Sequence, residues 1–316
     1  MTAADAAPTL QRAPAPAPGC PSWERERLDW PHADASRFVK AGGLGWHVQV
    51  MGEGPDILLL HGLGAASHSW RDLMAPLATR FRVIVPDLPG HGFTGRPAMN
   101  GLSLLGMAKR LGALMEVLEA APVLVVAHSA GAAVATRMTL DGQIEPRALL
   151  AINGAFLPFP GLAGQVFPQL ARALNLNPFV PRFFALGAVM DPASVERLIT
   201  GTGSRITPRG LALYRRILRY PGHVSAALGT MARWQLEPLV ADLPKLDVAL
   251  TLAAGSADRA TGLRDARAVA ELVPDARLIE LGGLGHLAHE EAPERGVALV
   301  LETARAAGVM PANVPA

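Results

Sequence analysis

The chain has 316 residues, half of them hydrophobic, with a formal charge of +2 and a sequence pI near 9.0. That length allows one large α/β domain with an inserted subdomain, and the small charge excess, without any basic run interleaved with aromatics, leaves no footprint for nucleic acid. The single cysteine, Cys20, cannot close an intramolecular disulfide, and no run approaches the ~20 uninterrupted apolar residues of a transmembrane helix.

Residues 1–22 are rich in alanine and proline and lack the charged start and apolar run of a secretory signal. A disordered tail is expected there, on a cytoplasmic protein with peripheral membrane contact left open. Residues 37–41 and 45–51 alternate as two antiparallel edge strands turned by Gly42-Gly43. Asp56–Leu60 is an apolar run read as a central strand, ending in the glycine loop His61-Gly-Leu-Gly64. A helix over 69–79 and a strand over 81–85 follow. The strand leads into the rigid loop Pro86-Asp-Leu-Pro-Gly-His-Gly-Phe-Thr94. Residues 102–118 have apolar side chains at helical spacing.

Val123-Leu-Val-Val-Ala127 then reads as a buried strand, broken by His128-Ser-Ala-Gly131 and followed by a small-residue helix over 130–138. Residues 147–153 form another apolar strand. From 156 to 235 no strand is expected. Short helical patterns are interrupted by proline and carry most of the phenylalanines, with nine arginines against Asp191 and Glu196. This is read as a helical lid inserted into a core of residues 23–155 and 236–310. Alternation resumes with a strand over 248–253, a helix over 263–272, the strand Arg277–Leu281 and a helix over 291–307. Alternating strands and helices predict a mostly parallel eight-stranded α/β sheet covered on both faces.

A serine at the apex of a strand–turn–helix is the setting of a nucleophile elbow. Ser129 is the candidate nucleophile, and the simpler alternative is a helix-capping serine. A hydroxyl needs a base and the base an orienting acid. His286, in Gly282-Gly-Leu-Gly-His286 after the last strand, is the candidate base. Asp258, in Ala254-Gly-Ser-Ala-Asp258, is the candidate acid, with Asp265, Asp141 and Asp242 as weaker choices. The backbone N–H groups of Leu63 and Ala130 are placed to form an oxyanion hole. His61, Gly62, His128 and His91 are expected to support the site from behind. His47, His68, His223 and His289 lack metal-ligand spacing, so no metal or cofactor is expected.

Leu58-Leu-Leu-His-Gly62, Pro86-Asp-Leu-Pro-Gly-His-Gly92, Ala127-His-Ser-Ala-Gly131 and Gly285-His286 through Glu290-Glu-Ala-Pro293 occur in order. As a set they resemble the α/β-hydrolase superfamily over residues 37–307. The resemblance implies a Ser-Asp-His triad. Haloalkane dehalogenase and epoxide hydrolase chemistry is disfavoured, because both use an aspartate where Ser129 stands. One departure is Ala127, which replaces the first glycine of the elbow.

Leu28-Asp-Trp-Pro31, Ser36-Arg-Phe-Val39, Trp46-His-Val-Gln49, Ser67-His-Ser-Trp-Arg-Asp-Leu73 and Ala151-Ile-Asn-Gly-Ala-Phe-Leu-Pro-Phe-Pro160 are similar to the BchO family of magnesium-chelatase accessory proteins of bacteriochlorophyll biosynthesis. This narrower resemblance implies work alongside magnesium insertion into protoporphyrin but no defined reaction. The resemblance implies magnesium chelatase subunits as partners, and the phenylalanine- and leucine-rich lid implies a bulky apolar small molecule, such as a tetrapyrrole or its ester. The lid arginines would pair with its carboxylates or, equally well, form a solvated face. Two classes stand side by side, an esterase-like serine hydrolase and a porphyrin-binding or chelatase-assisting protein on a hydrolase fold.

Overall fold

Eight short strands join into one sheet in the computed structural model, which describes residue 13, residues 15–158, residue 177 and residues 179–310. They are β1 (Ser36–Ala41), β2 (Leu44–Met51), β3 (Asp56–Leu60), β4 (Arg82–Pro86), β5 (Leu124–His128), β6 (Ala148–Ile152), β7 (Ala249–Gly255) and β8 (Arg277–Leu281). Their order is β1-β2-β4-β3-β5-β6-β7-β8. β1 and β2 pair antiparallel, as do β2 and β4; every other pairing is parallel.

The continuous apolar runs explain the sheet's position. All five residues of β5 and of β6 are buried, as parallel strands covered on both faces require. Successive side chains point to opposite faces. Ile57 and Leu59 join one core with α2 (Arg71–Ala78) and the C-terminal helix, Pro293–Ala306. Leu58 and Leu60 join the other with α3 (Leu104–Val117) and α4 (Ala130–Leu140). The sheet thus places the ends of β3, β5, β6 and β7 on one edge, where the candidate loops emerge.

Boundaries shift where side chains found a different partner. Phe81, expected in a strand, is buried in the core against α2, and β4 begins at Arg82. His128, expected in the turn, is the last residue of β5 and pairs with Ile152. The helix expected over 291–307 runs as Pro293–Ala306, and Ala292, at φ −136, separates it from a short helix, Ala288–Glu291. A residue before proline is pushed out of the helical region, and this explains the break.

Between β6 and β7 the described residues hold α5 (Phe179–Met190), α6 (Pro192–Gly201), α7 (Pro208–Leu218), α8 (Pro221–Met231) and α9 (Glu237–Asp242), and no strand. Pro208 and Pro221 open helices, where a missing N–H costs nothing, and so start elements more than they interrupt them. Phe159, Phe167, Arg172 and several prolines of this segment lie outside the described residues, as do residues 1–12 and 14 of the expected tail. The end of that tail is a correction. Gly222 N–H donates to Gly19 O (2.8 Å), and a Cβ at Gly222 would stand 2.4 Å from Cys20 Sγ. Absence of that side chain lets Gly19 and Cys20 pack on α8.

The lead-in is clamped to the inserted helices as well. Glu26, in α1 (Trp23–Glu26), is 2% exposed and accepts from Arg216, Arg219 and Tyr220. Burial raises its carboxyl pKa, but those three donors together outweigh it and hold the group below its usual value. Glu26→Ala is expected to lower the unfolding free energy by about 2 kcal/mol, discounted because Arg219 is half exposed. Urea denaturation of the two proteins measures it, and an unchanged midpoint would contradict the clamp.

Candidate active site

The site starts from one turn. β5 ends at His128 and α4 begins at Ala130, so the chain reverses at Ser129, with φ 51 and ψ −121. A serine there carries ~1–3 kcal/mol of backbone strain, which the surroundings must hold. Ser129 N–H donates to Ile152 O (3.1 Å), and Ser129 O accepts from Ala132 and Ala155 (3.0 Å each). Two glycines let the turn close. A Cβ at Gly131 would lie 2.6 Å from Leu60 O and His61 O, and one at Gly62 would lie 2.9 Å from Ser129 Cβ. The alanine at position 127 is accommodated. Ala127 is 2% exposed, paired with Leu60 and Ala151, and shares a core with Ala132 and Ala133, so small neighbours make room for its methyl.

Ser129 Oγ lies 3.0 Å from His286 Nε2, and His286 Nδ1 lies 2.9 Å from Asp258 Oδ2. With Nδ1–H donating to the carboxylate, Nε2 presents its lone pair to the hydroxyl. Asp258 is fixed from the other side by Ala260 N–H (2.7 Å) and the Thr261 hydroxyl (2.8 Å). Burial pushes the Asp258 carboxyl up, yet the His286 hydrogen bond and charge with these donors prevail, and its pKa falls below the usual value. Ser129 and His286 are 9% and 8% exposed. Asp141 and Asp242 instead pair with Arg137, at 2.6 and 2.7 Å, and Asp265 sits on a helix, Gly262–Leu272. Leu63 sits on the turn closed by Ala65 N–H to Gly62 O (3.2 Å), next in the chain to Gly62, which approaches Ser129; Ala130 opens α4.

Asn153 is the residue that sequence reasoning missed. It follows β6 with φ 47 and is 3% exposed. Its amide donates to Gly285 O (2.9 Å) and His286 O (2.8 Å), and its Oδ1 accepts from Gly255 N–H (2.7 Å). One side chain therefore ties the ends of β6 and β7 to the histidine loop. Its signal was a polar residue ending an otherwise apolar strand. His128 Nε2–H also donates to His286 O (2.9 Å), so the loop is held from two directions.

His61, His68, His91, His223 and His289 are fully buried, and burial lowers the pKa of each below the usual imidazole value. His61 Nε2 accepts from Leu88 N–H (2.9 Å), which puts its proton on Nδ1, toward Gly62 O (2.7 Å). His91 Nδ1 faces Pro89 O (3.2 Å), and its ring meets that of His223 edge-on at 5.2 Å. His47 Nδ1 donates to the buried Asp87 (2.8 Å), whose carboxylate also takes the N–H groups of Ser67 and Phe93. Among the described residues no three His, Cys, Asp or Glu side chains group to hold a metal.

His223, on α8, bridges two loops. Its Nδ1 accepts from Gly92 N–H (3.1 Å) and its Nε2–H donates to Gly64 O (3.1 Å). Protonation would break the first bond, and burial already lowers its pKa to about 4. His289 is lowered to about 3, again chiefly by burial. Both folded values lie below the unfolded value of about 6.5, so this stability is complete above pH ~6.5 and is lost as pH falls from there toward 4. The pH-dependent part is about 3 kcal/mol for His223 and about 5 kcal/mol for His289. Thermal melting across that window is expected to fall steadily in the native chain and less steeply in His223→Gln. In the same set of variants, Asn153→Ala is expected to lower the melting temperature, since Gly285 O and Gly255 N–H lose their partner and His286 O keeps only His128.

Residues 57–299 match the model of the alpha/beta hydrolase family. The chain is 39% identical over 277 residues to the magnesium-chelatase 30 kDa subunit of Rhodobacter capsulatus, covering 87% of this chain and 96% of that one. It is 26% identical to haloalkane dehalogenase 2 of Mycobacterium tuberculosis, over 81% of this chain and 90% of that one. Among solved structures, an α/β hydrolase fold protein from Burkholderia ambifaria superposes with a TM-score of 0.72 at 26% identity, covering 85% of this chain and 98% of that one. The chain belongs to the α/β hydrolase family and, within it, groups with the magnesium-chelatase 30 kDa subunit.

Proposed function

We propose that the protein is a serine hydrolase of ester-like acyl bonds, and that it serves magnesium chelatase in bacteriochlorophyll biosynthesis. The observation that carries the first half is the hydrogen-bonded chain Ser129–His286–Asp258. Ser129 Oγ attacks the acyl carbon while His286 Nε2 takes its proton. Asp258, held ionised, orients His286 and stabilises the imidazolium. Negative charge on the former carbonyl oxygen is met by the N–H groups of Leu63 and Ala130, at the start of α4. His286 then protonates the leaving oxygen, the acyl group stays on Ser129, and water activated by the same imidazole releases it. The helices between β6 and β7 act as a lid, and their apolar side chains favour a bulky apolar substrate.

The second half rests on the relative from Rhodobacter capsulatus, whose name places it with the chelatase. That name also favours a second reading, in which the cleft holds a tetrapyrrole or contacts chelatase subunits without turnover.

Hydrolysis of a p-nitrophenyl acyl ester, with protoporphyrin titrated in parallel by fluorescence, distinguishes the two. On the hydrolase reading Ser129→Ala and His286→Ala lower kcat at least about a thousandfold, with protoporphyrin affinity unchanged. Gly62→Ala, whose added methyl collides with His128 and Ser129, lowers kcat about a hundredfold. Tight porphyrin binding without ester turnover above the Ser129→Ala background would replace the hydrolase reading with the second.

A further inference from the structure

Ten large apolar side chains are exposed among the described residues, and seven of them fall on α5 and α6. Scattered exposed apolar residues need no explanation, but a concentrated patch marks an interaction surface. Helix α5 is inverted relative to an ordinary surface helix. Its buried positions are the small residues Pro181, Ala185 and Ala188. Phe179, Phe183, Leu186 and Met190, spaced four, three and four apart, form a stripe on the outside. They are 70%, 75%, 53% and 75% exposed. An apolar groove of about 370 Å³ between Phe183 and Phe184 on one side and Val195 and Leu198 on the other continues this face.

We infer that α5 is a docking surface for an anionic lipid bilayer, with the helix lying in the headgroup region. Its twelve residues span ~18 Å, too short to cross ~30 Å of hydrocarbon. No helix of the described residues is long and apolar enough to do so. A helix in this plane buries its apolar face ~5–10 Å deep. The charge of the surrounding segment is complementary. Residues 156–235 carry nine arginines and two acids, whereas the whole chain is only +2. Asp191 is engaged by Arg197, Glu196 by Arg215, and Glu26 takes Arg216 and Arg219, so among the described residues Arg182, Arg205, Arg209 and Arg233 are the arginines of the segment left to meet anionic headgroups. A protein partner would match polar groups at about one hydrogen bond per 100–200 Å². Apart from Arg182, the residues of α5 have no polar side-chain atom to offer one, and hydrocarbon requires none.

The inference is independent of the proposed reaction, since docking needs no triad. Flotation of the full chain with phosphatidylcholine vesicles, with and without phosphatidylglycerol, tests it. The native protein is expected to float with the anionic vesicles, and Phe183→Ser combined with Met190→Ser to bind them at least about tenfold more weakly. Because both side chains are exposed, the double variant is expected to keep the native melting temperature, which separates lost docking from lost folding. Native protein that stays in solution with both vesicle types, or a double variant that floats equally well, would overturn the inference. So would light scattering showing a dimer that the double variant dissolves, which would make a second copy the occupant of this face.

Discussion

The site depends on a backbone conformation that its own residue disfavours. At φ 51, Ser129 is held where an L-residue seldom rests, and it stays there because the chain around it leaves no alternative. Its N–H and carbonyl are bonded to Ile152, Ala132 and Ala155, and the carbonyls of Leu60 and His61 press against Gly131 where any side chain would collide. Strain at one residue is thus balanced by the sheet on either side. The hydroxyl is thereby set at the edge of the sheet, at the N-terminus of α4, where amide dipoles favour developing negative charge.

A second constraint holds the partners. The histidine loop is glycine-rich, and glycine by itself would leave His286 free to wander. Asn153 and His128 both donate to the His286 carbonyl, and Asn153 also takes the Gly255 N–H at the end of β7. The precision of the imidazole therefore comes from buried polar bonds to strand ends. The neutral histidines beneath it do similar work for the Gly62 and Gly92 loops. His61 and His223 each accept one backbone N–H, an arrangement that requires an uncharged ring. Burial that keeps these rings neutral ties the shape of the site to pH.

Much of this was legible in the sequence because apolar runs, glycine loops and chain order are local signals. The eight strand segments, the elbow serine, and the histidine and aspartate in loops after β8 and β7 could all be read from neighbours in sequence. What could not be read required knowing what lies across the fold. Asn153 reads as the polar end of a strand until the loop carrying Gly285 is brought beside it. Asp87 reads as part of a turn until His47, forty residues away, reaches it. Glu26 and Arg216 are distant in sequence, and nothing local predicts the clamp that ends the expected tail early. The departure at Ala127 needed the structure too, because only packing shows that Ala151, Ala132 and Ala133 leave room for its methyl.

Covalent trapping addresses most directly the proposed role of Ser129 as nucleophile. After incubation with a fluorophosphonate and proteolysis, mass spectrometry is expected to find the phosphonyl adduct on Ser129, in the peptide that contains Ala127-His-Ser-Ala-Gly131, and no adduct in His286→Ala. An unmodified Ser129 in folded protein, or an adduct that forms equally well without His286, would contradict it.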